Sequence, residues 1–453
     1  MSHLMLLRFY PGLSAGYCRM GVDVGVERVE AYLPYISEGG LRKGLDIEIG
    51  GLSGLAVIVG RNASGKTALL ESLGYGVSLL GRESVIASTL AMIRSMRPGV
   101  GLSEAFVADL WRGNESAAVL FIMVSDPFRL REMLDDMRHS EIGRKVLSDE
   151  VYRRATNDSS YILGGLRAVG EERKRERHRA FSLGLLNVLE FDSLPRVVER
   201  ILGRGYDTYF FSPWAGRRSP LSLFRIRGVY LAYGIRSGRP LPRAIVFDTV
   251  EGLLVAAMPG QRHFEGSVVV FHPGFAYNPG MFVSLYKESA ERGFPSEREA
   301  VRLLRDFIPW FDGFELIGRE LHVRSRYGRR ISVRRLSDGQ RAAVLLGLLY
   351  AASPHGSLVL IDTPEAFVHP DGLETVAELV ARIVAEGNQA VVATQSAEML
   401  REMLRAAKKE GILNDTVVKH VWLRGGRVTA KGSWRGEDAL GMVEELAIDL
   451  RRA

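Results

Sequence analysis

Leu55-Ala56-Val57-Ile58-Val59-Gly60-Arg61-Asn62-Ala63-Ser64-Gly65-Lys66-Thr67 is the stretch on which the reading of the whole chain turns. Five consecutive apolar residues predict a strand buried on both faces, and a helical pattern runs from residue 65 to residue 80. Between them Gly60 to Thr67 fit G-x-x-x-x-G-K-[ST] in the strand-to-helix setting that this motif needs. The glycines let the backbone of Arg61, Asn62, Ala63 and Ser64 wrap phosphate oxygens with its N–H groups, and the helix N-terminus adds partial positive charge. Lys66 is placed to reach β and γ oxygens, and Thr67 offers a hydroxyl to magnesium. The expected ligand is therefore a nucleoside triphosphate with its metal.

A second apolar strand ends differently. Leu358-Val359-Leu360-Ile361-Asp362 closes on an acid, the form in which a strand tip presents a carboxylate to phosphate-bound magnesium. Thr363-Pro364-Glu365 then supplies another carboxylate, three residues after Asp362, and Ala393-Thr394-Gln395-Ser396 ends the next apolar strand with polar groups. About twenty residues before the acid, Leu336-Ser337-Asp338-Gly339-Gln340 opens a helix. Taken alone, that turn is an ordinary helix cap. The spacing around it predicts a helix at 340–352, a strand at 358–361, a helix at 371–386, a strand at 390–394 and a helix at 398–409. This alternation indicates a parallel sheet covered by helices.

Upstream the pattern is looser. Alternation at 3–9, 22–29 and 45–49 predicts short antiparallel strands, further strand-like runs lie at 116–125, 244–255 and 267–271, and helices are expected at 279–292 and 296–308. Residues 321–326 and 330–333 flank Tyr327-Gly328 as a hairpin.

The chain has 453 residues, with 46% hydrophobic and 25% charged, the balance of an ordinary globular protein. No apolar run approaches the roughly 18 residues of a membrane span. Residues 1–10 lack the pattern of a secretory leader. Cys18 is the single cysteine, which excludes internal disulfides and multi-cysteine metal clusters, and a cytoplasmic location is expected. Among 60 basic residues only nine are Lys, and Gln occurs at 261, 340, 389 and 395 alone, a composition that points to a heat-adapted source.

The net charge of +7 is concentrated: residues 151–240 hold 17 Lys and Arg against 8 Asp and Glu. There Tyr206, Tyr209, Phe210, Phe211, Trp214, Phe224, Tyr230 and Tyr233 alternate with Arg204, Arg217, Arg218, Arg225, Arg227, Arg236 and Arg239. Aromatics at this density more often build core; contact with DNA or RNA is the second reading. The charged run at 171–179 reads first as a solvated helix face. His272-Pro273 and His369-Pro370 belong to no His or Cys cluster, so turn roles are expected of both, and no Ser-His-acid triad is placed.

Together the loop at Gly60 to Thr67, the turn at Leu336 to Gln340, the acid-ended strand and the polar strand tip resemble the ATP-binding cassette superfamily. More narrowly, residues 358–370 and 393–398 resemble its AAA-type, SMC/RecF-like and OLD-like ATPases, and residues 417–451 resemble the closing hairpin and helix of prokaryotic members. The resemblance covers about residues 1–80 and 310–453. It implies an α/β phosphate-loop NTPase head, with a central mostly parallel sheet, helices and an antiparallel β subdomain, interrupted by a large α+β insertion. The expected divisions are 1–81, 82–310 and 311–453. It also implies ATP and magnesium as ligands, with Lys66, Thr67 and Asp362 at the γ-phosphate and metal. A homodimer is implied in which Ser337, Asp338, Gly339 and Gln340 of one copy meet the nucleotide held by the other. DNA-related work or an unidentified protein partner would involve the basic middle.

Three positions depart from the resemblance. The base expected directly after the acid-ended strand is Thr363, which takes no proton near neutral pH. Either Glu365 replaces it, or hydrolysis is slow and the protein is an ATP-gated nucleic-acid clamp or scaffold. Gln395 stands at the switch-histidine position, where it positions without carrying charge. No glutamine follows the first motif within reach, so another group must complete the metal shell. The span from Thr67 to Leu336 is too long for a transporter motor, and the stretch after Ser396 is too short for an appended nuclease domain.

Overall fold

The computed structural model describes residues 25–37, 40–80, 105–112, 115–124, 135–146, 209–210, 226–236, 239–249, 253–257, 268–292, 294–444 and 449. The alternation at 3–9, the charged run at 171–179 and most of the basic segment 151–240, including Arg217, Arg218 and Arg225, lie outside them.

The described residues form seventeen strands. Arg28–Ser37 (β1), Gly40–Gly50 (β2), Leu55–Val59 (β3), Ala105–Arg112 (β4), Glu115–Val124 (β5), Tyr209–Phe210 (β6), Ile226–Arg236 (β7), Arg239–Thr249 (β8), Leu253–Ala257 (β9) and Val268–Phe271 (β10) come first. Phe311–Ile317 (β11), Glu320–Ser325 (β12), Arg330–Ser332 (β13), Leu358–Asp362 (β14), Gln389–Thr394 (β15), Thr416–Arg424 (β16) and Arg427–Arg435 (β17) follow. Fourteen form one sheet in the order β10-β14-β15-β3-β16-β17-β2-β1-β4-β5-β7-β8-β9-β6; β11, β12 and β13 form another.

The large sheet has two characters. From β10 to β16 every pairing is parallel, whereas from β2 to β6 every pairing is antiparallel. The β16–β17 hairpin and the parallel β17–β2 pair join the halves. This is the expected head architecture, and the described strands between 105 and 257 extend its sheet. One element falls on the other side of the expected division. Val268–Phe271 lies within 82–310, yet it is the outer parallel strand beside β14, and helices Pro279–Arg292 and Phe294–Phe307 pack on helix Asp338–Ala352. The run expected at 244–255 is split between β8 and β9.

The continuous apolar runs are explained by burial on all sides. All five residues of β3 and of β14 are buried, and each fully buried Val, Leu or Ile contributes about 1.5–3 kcal/mol. Helix Asp338–Ala352 has almost no polar face because it is enclosed by the two helices named above and by Leu373–Ala385. Gly347 lets helix Phe294–Phe307 come close, since a Cβ there would stand 2.7 Å from Leu304 Cδ1.

A buried amide ties the two halves of the sheet together. Gln389 Oε1 accepts the Val26 N–H at 2.9 Å, while its Nε2 donates to the carbonyls of Val26 at 2.9 Å and Ser53 at 3.1 Å. Gln389→Ala leaves these groups unpaired out of water and is expected to destabilise the head by about 2–4 kcal/mol. Denaturant unfolding checks this; an unchanged midpoint would refute it.

Candidate functional site

Parallel strands in register put their carboxyl ends on one edge, and the site forms there. Asp362 pairs with Ala393, which in turn pairs with Ile58, so the tips of β14, β15 and β3 lie side by side. The loop from β3 to helix Lys66–Leu80 turns through Ala63 and Gly65, both with left-handed φ (59° and 91°). Gly60 packs so closely that a Cβ would stand 2.6 Å from the Val421 carbonyl oxygen, and one at Gly65 would lie 2.5 Å from Val428 Cγ2. Arg61, Asn62 and Ala63 are exposed on the loop, whereas Ser64 is buried with its Oγ unpartnered. Lys66 Nζ donates to the carbonyls of Gly60 and Arg61 at 2.8 and 2.9 Å, closing the loop on itself. Burial pushes the Lys66 ammonium below its ordinary range, opposed by the nearby carboxylates of Asp362 and Glu365.

Thr67 Oγ1 donates to Asp362 Oδ2 at 2.9 Å, which joins the helix start to an acid 295 positions away. Asp362 is 4% exposed, and its other oxygen accepts from Thr363 Oγ1 at 3.1 Å. A hydroxyl and a carboxylate oxygen at this separation are the hard ligands that magnesium takes, with nucleotide oxygens and water supplying the rest. That donor set fits the metal. Among the described residues no group of three His, Cys, Asp or Glu forms a self-sufficient metal site.

Glu365 reaches from the end of β14 to the end of β15. Its Oε1 accepts from Thr394 Oγ1 at 2.7 Å and from the Gln395 N–H at 3.1 Å, while Oε2 is buried without a partner. The turn that carries it uses left-handed φ at Thr363 (51°) and Phe367 (67°), a backbone state that L residues adopt at a cost of about 1–3 kcal/mol. Gln395 thus enters the site first through its main chain.

The turn at Ser337 to Gln340 stands apart. Ser337 Oγ accepts the Gln340 N–H at 3.4 Å and Gln340 Oε1 accepts the Ser337 N–H at 3.3 Å, a reciprocal cap of helix Asp338–Ala352. Asp338 pairs with Arg341. Gly339 lies against the Glu365 turn, where a Cβ would stand 2.5 Å from the Phe367 carbonyl oxygen. No described hydrogen bond or ion pair links these four residues to the loop at 60–67.

His272, of which the sequence predicts only a turn, also reaches this edge. β10 pairs with β14 up to Phe271 opposite Ile361, so His272 follows its strand at the level where Asp362 ends β14. Its Nδ1 accepts the Gly274 N–H at 3.1 Å, which places the ring proton on Nε2. Burial holds the imidazole below its ordinary range, with the Asp362 carboxylate opposing. The expected turn role holds, since His272 caps the short 3-10 helix Pro273–Tyr277, and the strand adds proximity to Asp362. The signal was an apolar run closing on a polar residue, as at Asp362. His369 likewise caps a turn, Pro370–Gly372.

Residues 277–401 match the family described as "AAA domain, putative AbiEii toxin, Type IV TA system". An uncharacterized protein of Methanocaldococcus jannaschii is 32% identical over 117 residues, 26% of this chain and 99% of that protein. Among solved structures, an SMC head bound to the C-winged helix domain of ScpA aligns at 13% identity and a TM-score of 0.39, covering 92% of this chain and 99% of that one. The SMC head domain from Thermotoga maritima aligns at 12% identity and a TM-score of 0.33, covering 89% and 97%.

Proposed function

We propose that this chain is an AAA-type ATPase that hydrolyses ATP with magnesium and couples the cycle to pairing of two heads for work on DNA. The observation that carries this reading is the meeting of Thr67 and Asp362 at 2.9 Å beside Lys66, with the unpartnered Oε2 of Glu365 nearby. Lys66 would leave its two loop carbonyls for the β and γ oxygens. Thr67 and Asp362 would hold magnesium, the latter through water, and the metal would neutralise charge developing on the phosphates. The backbone from Gly60 to Thr67 would fix the triphosphate, and Glu365 would orient the attacking water and receive its proton. Gln395 would position that water further, and His272 Nε2–H would donate to a water or phosphate oxygen.

Ser337, Asp338, Gly339 and Gln340 would act on the nucleotide of a second copy, consistent with their distance in bonding from their own phosphate loop. We place the end of the inserted region near residue 267, ahead of β10, and assign its basic segment 151–240 to DNA, a protein partner being the outcome if DNA does not bind. A second reading, an ATP-gated clamp with little turnover, is favoured by Thr363, whose hydroxyl is engaged with Asp362. No described helix is long and apolar enough to cross a membrane.

The test is ATP hydrolysis with and without magnesium and duplex DNA, alongside molecular mass with ATP. Magnesium-dependent turnover with ATP-induced dimers is expected. ATP-induced dimers without turnover would establish the clamp, and an absence of both would reject the two readings together.

A further inference from the structure

Outside the nucleotide site and outside the basic segment 151–240, residues 318–335 hold seven Arg against a single acid, Glu320. They form the β12–β13 hairpin and its flanks, in the small sheet that precedes the Ser337 turn. Strand alternation sorts the side chains: Leu321, Val323 and Ser325 are buried, whereas His322 and Arg324 lie on the opposite face beside Ser332 and Arg330.

The acids of this sheet are already engaged. Arg324 pairs with Asp312 at 3.1 Å, Arg330 with Glu315 at 2.7 Å and Arg334 with Glu320 at 3.1 Å. A hydrogen bond from Arg324 holds the Asp312 carboxyl below the usual carboxylate range, and one from Ser332 does the same for Glu320. Four further cations, Arg319, Arg326, Arg329 and Arg335, are exposed and close no ion pair among the described residues, although Arg335 is near enough to Glu320 to help hold its carboxyl low. Surface arginines that serve only solubility are usually interspersed with acids; here the acids are used up and the excess is one-signed.

Their placement is extended rather than clustered. Ser325 donates its N–H to the Arg329 carbonyl, so Arg326 and Arg329 share one end of the hairpin. Arg334 reaches Glu320, which brings Arg335 to the other end with Arg319. Arg319 and Arg326 lie in the turns at the two ends of the six-residue strand Glu320–Ser325, which spans about 17 Å, about half a turn of B-form DNA. At the first end the Arg326 guanidinium lies 5.2 Å from the Tyr327 ring centre, and Tyr327 is 69% exposed. A rigid row of guanidiniums with an exposed ring suits a nucleic-acid backbone, to which arginine binds bidentately.

We propose that the β11–β12–β13 sheet is a duplex-DNA contact surface, with Arg319, Arg326, Arg329 and Arg335 neutralising phosphates without reading sequence. This surface adds a grip on the head itself to the DNA-related reading above, and it operates without nucleotide.

The test is fluorescence anisotropy of two labelled 30-base-pair duplexes of unrelated sequence with the full chain, without ATP, across a series of salt concentrations. The variants are the quadruple Arg319→Gln, Arg326→Gln, Arg329→Gln, Arg335→Gln and, separately, Arg217→Gln, Arg218→Gln, Arg225→Gln, Arg227→Gln. Each phosphate contact contributes about 0.9 to the slope of log K against log salt, so losing four is expected to lower that slope by about 3.6 and to weaken both duplexes at least tenfold. Its melting temperature stays that of the parent, because the four side chains are exposed. An unchanged slope in the first variant with a reduced one in the second would move DNA to the insertion and overturn the proposal while sparing the DNA-related reading. Absence of duplex binding by the parent chain would overturn both, and binding of phosphatidylserine vesicles but not duplex would replace this partner with a lipid surface.

Discussion

Lys66→Ala is expected to lower kcat/KM for ATP by about 10²–10³-fold, the usual loss when one preorganised donor to a developing oxyanion is removed. Lys66 Nζ is held by the Gly60 and Arg61 carbonyls, and Asp362 and Glu365 lie close enough to oppose the effect of burial on it. An incoming phosphate therefore meets an ammonium that is already partly out of water and fixed at the loop. Truncation deletes that charge and leaves two carboxylates facing the phosphate without their counter-ion, so binding suffers along with turnover. ATP at 100 times its Kd stabilises a site by about 2.7 kcal/mol, and the variant should lose most of that stabilisation. Steady-state hydrolysis and the ATP-induced melting shift measure the two effects. Turnover within twofold of the parent would remove Lys66 from its role.

Much of this site is legible in the sequence because strand tips obey a simple rule. An apolar run buried on both faces must end where the chain leaves the sheet, and in parallel strands all such ends fall on one edge. Val59 with its loop, Ile361 with Asp362 and Ala393 with Thr394 and Gln395 could each be read this way, and their register brings them together. His272 obeys the same rule after Val268–Phe271, yet the sequence predicts only a turn there, because four apolar residues in a poorly patterned stretch do not reveal which strand they join. Long-range pairing carries that information, and local periodicity does not.

The Ser337 turn shows a different limit. Its residues read equally well as a helix cap and as a nucleotide contact, and the folded chain satisfies the first without using the second. Ser337 and Gln340 complete a reciprocal cap, and Gly339 fits against the Phe367 carbonyl because it has no side chain. A contact made only by a second copy leaves no trace in the bonding of one chain. The Glu365 turn is ambiguous in another way, since a carboxylate three residues beyond Asp362 reaches the site only if the backbone bends back. Left-handed φ at Thr363 and Phe367 supplies that bend at non-glycine positions, where sequence gives no warning of it.

Glu365→Gln is expected to reduce turnover by about 10²–10⁴-fold while leaving ATP binding intact, the range lost with a general base. The substitution is nearly isosteric. An amide oxygen can keep the bonds now accepted from Thr394 Oγ1 and the Gln395 N–H at 2.7 and 3.1 Å, so the clasp between the ends of β14 and β15 survives. What changes is Oε2, which is buried, unpartnered and free to take a proton in the parent, and which becomes an NH₂ that cannot. ATP-bound dimers should then accumulate, because the step that ends their lifetime is blocked, and their mass by light scattering measures this directly. Thr363→Val is the contrast: its hydroxyl donates to Asp362 Oδ1 and accepts no proton from water, so it should weaken magnesium binding modestly without mimicking the trapped dimer. Equal turnover by Glu365→Gln and the parent would remove Glu365 as the base. A parent that dimerises with ATP yet turns over no faster than this variant would make the clamp the function, with Glu365 holding the turn closed through Thr394.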